Sequence, residues 1–154
     1  MLLFLRHASA GEKLESAALD HARPLDRQGR ADAGHLPAIL AGFVIERIVS
    51  SPHRRCVETV EPLAAARGVA LELERGLGPE VPAREARALL AGLPDGTLVC
   101  THREVFEHLF HGEAACEKGG AWLVERRRSQ LVPVEYVAPP AKQPARRGRL
   151  VRTR

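Results

Sequence analysis

Aromatic side chains are scarce in this chain, which has four Phe, one Tyr and one Trp among 154 residues. None lies in 138–154, where the chain is most basic, so that stretch cannot act as a platform on which bases stack. Cysteine is sparse too. Cys56, Cys100 and Cys116 are an odd number, lie far apart and form no CxxC pair, so neither a disulfide framework nor a zinc site is indicated. A reducing, cytoplasmic setting is the expectation. No apolar run approaches the ~18 residues of a membrane span, and Arg6 and His7 cut the N-terminal run before it resembles a signal peptide. No membrane partner is therefore expected, and no carboxylate cluster resembles a metal site.

Acidic residues are missing altogether from 138–154, which carries Lys142, Arg146, Arg147, Arg149, Arg152 and Arg154. With those six set aside, 17 basic residues face 19 acidic ones over 1–137, so the net charge of +4 combines a body of −2 with a tail of +6. The tail, with Pro139-Pro140 and its arginines, reads as disordered. Residues 1–137, in a chain that is 45% apolar, are enough for one domain with a real core.

Along those residues, short apolar runs alternate with amphipathic stretches. Leu2–Leu5 reads as a strand buried on both faces. Residues 12–26 read as a polar loop. Asp26 is placed to cap a helix from Arg27 to about Ala41, stopped by Gly42 and kinked or split by Pro37. Phe43–Val49 reads as a strand, Ser51-Pro52 as the cap and first position of a helix ending near Gly68, and Val69–Leu73 as a third strand. A loop over 76–82, a helix over Ala83–Ala91, a strand over Thr97–Thr101 and a helix over Arg103–Phe110 follow. Ala121–Glu125 and Leu131–Val137 form an antiparallel hairpin, with Pro133 suited to an edge. The alternation predicts a three-layer α/β/α sandwich with a mainly parallel sheet and an antiparallel edge hairpin.

Three of these strands end in a cation or imidazole at the mouth of a helix: Leu5-Arg6-His7, Val49-Ser-Ser-Pro-His53-Arg54-Arg55 and Cys100-Thr101-His102. In a parallel sheet the carboxyl ends share one edge, so groups about 50 residues apart in sequence converge there. Arginines, histidines and helix N-termini on one lip make a site for a dianionic phosphoryl group.

At this point the chain resembles the histidine phosphatase superfamily, of phosphoglycerate-mutase-like fold, and within it the short SixA-like branch of phosphohistidine phosphatases. Leu5-Arg6-His7-Ala8 matches the RHG signature, with Ala8 where glycine is usual. Arg23-Pro24-Leu25 followed by Gly29 matches a stretch of the short branch, and this match makes Arg23 a candidate substrate contact. Ser51-Pro52-His53-Arg54-Arg55-Cys56-Val57-Glu58-Thr59 matches SP-x-x-RA-x-QT and puts the family arginine at Arg55 rather than Arg54. Thr101-His102 matches the second family histidine. The hairpin with Lys118-Gly119-Gly120-Ala121-Trp122 looks like the last strand pair of the family. Glu117-Lys118-Gly119, the stretch Cys56–Leu63 and Cys100-Thr-His-Arg-Glu104 also resemble the phosphatase domain fused to some actinobacterial Nudix hydrolases.

The resemblance implies a metal-independent, cofactor-free phosphohydrolase working through a phosphohistidine intermediate on His7. Imidazole attacks phosphorus when neutral, and Arg6 and Arg55 disfavour protonation of His7 while gripping the non-bridging oxygens. His102, as an imidazolium, would stabilise the charge of the transition state. In larger family members a glutamate follows the third strand. Glu80 is its best positional match as general acid and Glu85 the fallback, and both also read as solvated loop acids. His53 and Arg103 are further candidates for lining the pocket. The substrate implied is a phosphohistidine protein or a small phosphate ester. A nucleotide or nucleoside polyphosphate, a catalytically idle phosphate-binding domain, and nucleic-acid binding through the tail are the competing readings. The connecting segments are too short for the lid of a mutase.

Overall fold

The computed structural model describes residues 1–142. Its first element, β1 (Leu2–Arg6), is the hinge of the architecture. Leu2 and Phe4 point into one core and Leu3 and Leu5 into another, so the strand is apolar without alternation because both of its faces are covered. After it come α1 (Ala17–His21), α2 (Arg27–Ile39), β2 (Arg47–Ser50), α3 (Arg54–Arg67), β3 (Leu71–Leu73) and α4 (Ala83–Ala91). The chain then forms β4 (Thr97–Thr101), α5 (Arg103–Phe110), β5 (Ala121–Arg127) and β6 (Gln130–Val137).

The six strands make one sheet in the order β3-β2-β4-β1-β5-β6. The pairs β1–β4, β2–β4 and β2–β3 are parallel, and β5 and β6 close the sheet antiparallel. Helices α4 and α5 pack Ala86, Leu90, Val105, Phe106 and Phe110 on one face. On the other face, α2 and α3 pack Leu36, Cys56, Val60 and Leu63. This is the three-layer arrangement that the alternating pattern predicts. Pro133 lies on the edge strand β6, opposite Val124 at a break in register, where a missing N–H costs little.

The ends of several elements differ from the sequence reading. The polar loop over 12–26 contains α1, capped by Ser16, whose hydroxyl accepts from the Leu19 amide. Strand β2 spans only Arg47–Ser50, because Phe43 still turns back onto Leu40 and pairing with the sheet begins at Glu46. Helix α3 starts at Arg54 with His53 at its cap position, not at Pro52. The cause is Ser51, whose amide still donates to Cys100 of β4 and so keeps the chain in the sheet. Pro37 does not split α2; the helix runs through it and ends at Ile39. Asp26 caps α2 as expected, accepting from the Gly29 amide at 2.8 Å.

Residues 138–142, expected to belong to the tail, are ordered against the domain. Pro139 is buried, and Pro140–Lys142 form a 3-10 turn with Lys142 paired to Glu117. The disordered stretch expected beyond them, 143–154, lies outside the described residues. No described helix is long and apolar enough to cross a membrane.

Candidate active site

The carboxyl ends of β1, β2 and β4 lie side by side, and the side chains that follow them line one cavity of about 260 Å³. From β1 come Arg6 and His7. His7 is buried, and its Nδ1 lies 2.8 Å from the carbonyl oxygen of Ala8. A carbonyl only accepts, so Nδ1 carries the ring proton and Nε2 keeps its lone pair. Burial first, and then Arg55, Arg6 and Arg23, push the imidazole down to a pKa of about 3, against the opposing effect of the Ala8 bond. The ring is therefore neutral at pH 7. The arginines act in the direction the sequence suggests, but burial is the larger cause.

Arg55 arrives from the first turn of α3 and is only 4% exposed. Its Nη1 donates to the Asp20 carbonyl at 2.9 Å and lies 3.4 Å from Asp20 Oδ2. The preceding Arg54 is exposed and pairs with Glu58 at 3.5 Å, so the arginine in the cavity is Arg55. Arg6 Nη1 donates to the Cys116 carbonyl at 2.7 Å. The Nε–H groups of Arg6 and Arg55 are both buried without a hydrogen-bond partner among the described residues. Each guanidinium thus keeps an unused N–H, and both side chains line the same cavity as His7. The distance between the His7 and Arg55 segments is set by Thr59, whose hydroxyl donates to the Arg55 carbonyl and accepts from the Ala8 amide.

His102, at the end of β4, is 1% exposed, and its ring centroid lies 5.3 Å from that of His7 in an edge-on arrangement. Arg55 Nη2 lies 3.3 Å from its Nδ1 and can only donate, so Nε2 bears the proton and donates to Ser51 Oγ at 2.9 Å. Ser51 Oγ in turn lies 3.1 Å from His53 Nδ1. Burial, together with His7 and Arg55, drives the His102 pKa far below its ordinary value. Without an anion in the cavity the ring is neutral and accepts from Arg55, where the sequence reading expects an imidazolium.

The remaining candidates divide. Arg23 lines the cavity, but its Nε is held by Asp20 Oδ1 at 3.0 Å and its Nη1 by the carbonyls of Ala10 and Gly11. Arg103 lines the mouth from the first turn of α5, exposed and 3.4 Å from Glu107. His53 is buried behind His102, with ring centroids 4.7 Å apart, and does not line the cavity. Burial, followed by Arg55 and His21, lowers its pKa to about 4. Glu80 does not line the cavity. The 3-10 turn Arg75–Leu77 brings Pro79 to the wall and leaves Glu80 exposed outside it; the fallback Glu85 is exposed on α4.

Four charged cavity residues carry no role in the sequence reading: Lys13, Asp20, Glu104 and Lys118. Asp20 is buried between Arg23 and Arg55. Burial alone would raise its pKa, but the Leu14 amide and the two guanidiniums hold it below the ordinary carboxylate value. Its Asp-x-x-Arg spacing with Arg23 is the signal that was available. Glu104 sits in the first turn of α5, half-buried, with no hydrogen bond or ion pair among the described residues. Its place two residues after His102 was equally visible. Among the described residues no group of three or more His, Cys, Asp or Glu is arranged to hold a metal ion.

A mainly parallel sheet that gathers two arginines and two neutral histidines at its carboxyl edge defines an α/β domain of phosphoglycerate-mutase-like fold. The profile of the histidine phosphatase superfamily (branch 1) matches residues 2–78, and the chain belongs to that superfamily. It is 31% identical over 157 residues to an 8-oxo-(d)GTP phosphatase of Mycolicibacterium smegmatis, covering 90% of this chain and 48% of the relative. The chain thus spans about half the length of that protein. Among solved structures it is similar to the protein histidine phosphatase SixA complexed with tungstate, with a TM-score of 0.73, 21% identity and coverage of 89% and 96% of the two chains. It is also similar to phosphoserine phosphatase of Entamoeba histolytica complexed with 3-phosphoglyceric acid, with a TM-score of 0.71, 14% identity and coverage of 88% and 95%. At such identities the two structures speak for the fold.

Proposed function

We propose that the chain is a phosphohydrolase in which His7 attacks phosphorus. The observation that carries the reading is the His7 Nδ1–Ala8 bond, which leaves an unprotonated Nε2 in a cavity walled by Arg6, Arg55 and His102. In the first step Nε2 bonds to phosphorus as the bond from phosphorus to the leaving atom breaks, an oxygen in a phosphate ester and an imidazole nitrogen in a phosphohistidine. That atom takes the electron pair together with a proton. In the second step the carboxylate left by the acid takes a proton from water, whose oxygen attacks phosphorus; the P–N bond breaks, and His7 regains its lone pair as inorganic phosphate leaves. Arg6 and Arg55 hold the non-bridging oxygens as charge spreads over them, which lysine would do less well.

The leaving group takes its proton from Glu104 in this reading, in place of Glu80. Of the two carboxylates in the cavity, Asp20 is held by two arginines, whereas Glu104 makes no ion pair among the described residues. A phosphoryl dianion beside His102 would favour the protonated ring, which takes its proton on Nδ1 only when Arg55 Nη2 leaves that nitrogen for a phosphoryl oxygen.

A phosphohistidine protein or a small phosphate ester fits this site. A second reading, a nucleotide or nucleoside polyphosphate, is favoured by the surplus of cations: six basic side chains and two acidic ones line the cavity. The name of the M. smegmatis relative points the same way. The test is a panel of phosphohistidine protein, nucleotides, sugar phosphates and an aryl phosphate, run with and without excess EDTA. Release of phosphate from at least one class, undiminished by chelator, is the expected result. Turnover that is lost with EDTA and restored by a divalent ion would contradict it, and tight phosphate binding with no turnover would favour an idle binding domain.

A further inference from the structure

A second cavity adjoins the first. It also measures about 260 Å³, and it shares two walls with the phosphoryl cavity, Arg6 and Arg103. Its other walls change character: Phe106, Ala114, Ala115 and Cys116 make it largely apolar, with Glu107 and Gly112 at its sides. Arg6 stands between the two spaces because its Nη1 donates to the Cys116 carbonyl, part of the second wall. Arg103, also shared, is drawn toward Glu107 at 3.4 Å, so its flat guanidinium stands at the mouth.

We propose that this second cavity is a leaving-group pocket and that it takes a planar unsaturated ring joined to the phosphoryl group. The proposal rests on the phosphatase reading for the identity of the first cavity. Three observations carry it. An apolar space of ~150 Å³ is enough to hold benzene, so a single ring fits with room to spare. The aliphatic and aromatic walls reward burial of a ring, and a guanidinium at the mouth stacks on a planar π face where it would not stack on an alkyl chain. The Cys116 thiol, whose pKa burial pushes up to about 12, stays neutral and adds a polarizable apolar surface rather than a charge. Because Arg6 borders both spaces, a ligand whose phosphorus is gripped by Arg6 already has its organic half beside the second cavity.

The test uses phenylphosphonate and methylphosphonate, which share the charged head, differ in the ring and are not hydrolysed. Binding of each is measured by calorimetry to the full chain and to Ala115→Trp, which fills the pocket from an exposed loop position. The full chain is expected to prefer the phenyl ligand by about tenfold or more. In Ala115→Trp that preference should fall to near one, with methylphosphonate still bound. Equal affinity of the full chain for both ligands would overturn the proposal, as would a preference that survives the substitution. If Ala115→Trp binds neither and its thermal transition shows loss of fold, Glu107→Trp fills the same cavity from α5 and repeats the comparison. Ring preference without any turnover of phosphate esters would refute the phosphatase reading and leave the pocket standing. Turnover without ring preference would do the reverse.

Discussion

His7 and His102 stand 5.3 Å apart at the ends of neighbouring strands, and hydrogen bonding alone gives them different work. The lone pair of His7 lies on Nε2, because Nδ1 faces a carbonyl that can only accept. The lone pair of His102 is already bound by Arg55, and its proton is held by Ser51. A free lone pair can become a nucleophile, whereas a bound one serves to position Arg55 and to receive charge. The same reasoning separates the carboxylates. Glu104→Gln is expected to lower kcat for an alkyl ester by on the order of 10²-fold. The effect should be much smaller for a p-nitrophenyl ester, whose leaving group departs without a proton. Turnover of both esters by Glu104→Gln and Glu80→Gln is the measurement; a drop confined to Glu80→Gln would return the acid to the place argued from sequence.

Among the elements, α2 shows how the loop after β1 is fixed. Asp26 caps the helix and accepts the Ser9 hydroxyl at 2.5 Å and the Gly11 amide at 3.1 Å, so helix start and active-site loop are one unit. Gly29 allows the approach, since a Cβ there would sit 2.0 Å from the Ser9 carbonyl oxygen. Gly34, further along the same helix, would place a Cβ in open space. Gly29→Ala should therefore destabilise the fold by on the order of 1–3 kcal/mol. Gly34→Ala should stabilise it by about 0.5–1 kcal/mol through helix propensity. Urea unfolding of the two variants measures this, and effects of the same sign would contradict the account of the contact.

What the sequence disclosed follows from the range of each interaction. The order of the elements, the Asp26 cap and the convergence of Arg6, His7, Arg55 and His102 were readable because each depends on a local pattern plus the rule that parallel strands share one carboxyl edge. Asp20 was hidden in a polar loop, since its meaning comes from an arginine 35 positions away. Glu80 was expected at the cavity because counting from the third strand passes over the 3-10 turn Arg75–Leu77, after which Pro79 and not Glu80 stands at the wall.

Over the whole molecule, two neutral buried histidines with depressed pKa values tie folding to pH. In the unfolded chain His7 and His53 titrate near the ordinary ~6.5, but in the fold they titrate at about 3 and about 4. Between those values and pH 6.5 the unfolded state binds more protons, so stability is fully present above the unfolded value and is lost as pH falls through the window. His102, depressed in the same direction, adds to the loss, and Asp20 and Asp26, held below the ordinary carboxylate range, extend it to lower pH. Urea unfolding between pH 7.5 and pH 4.5 should show stability declining by on the order of 1 kcal/mol per pH unit for each histidine. A flat or rising profile would mean that these rings are protonated in the fold, and the neutral nucleophile would be lost with them.

The most direct measurement traps the phosphoenzyme. Chain quenched in base during turnover of a phosphorus-labelled substrate should carry an acid-labile, base-stable phosphoryl group, and peptide mapping should place it on His7. His7→Ala should abolish both label and turnover. His102→Ala should slow turnover by on the order of 10²–10³-fold while still binding phosphate. A label mapped to His102, or one that persists in His7→Ala, would contradict the assignment of the nucleophile.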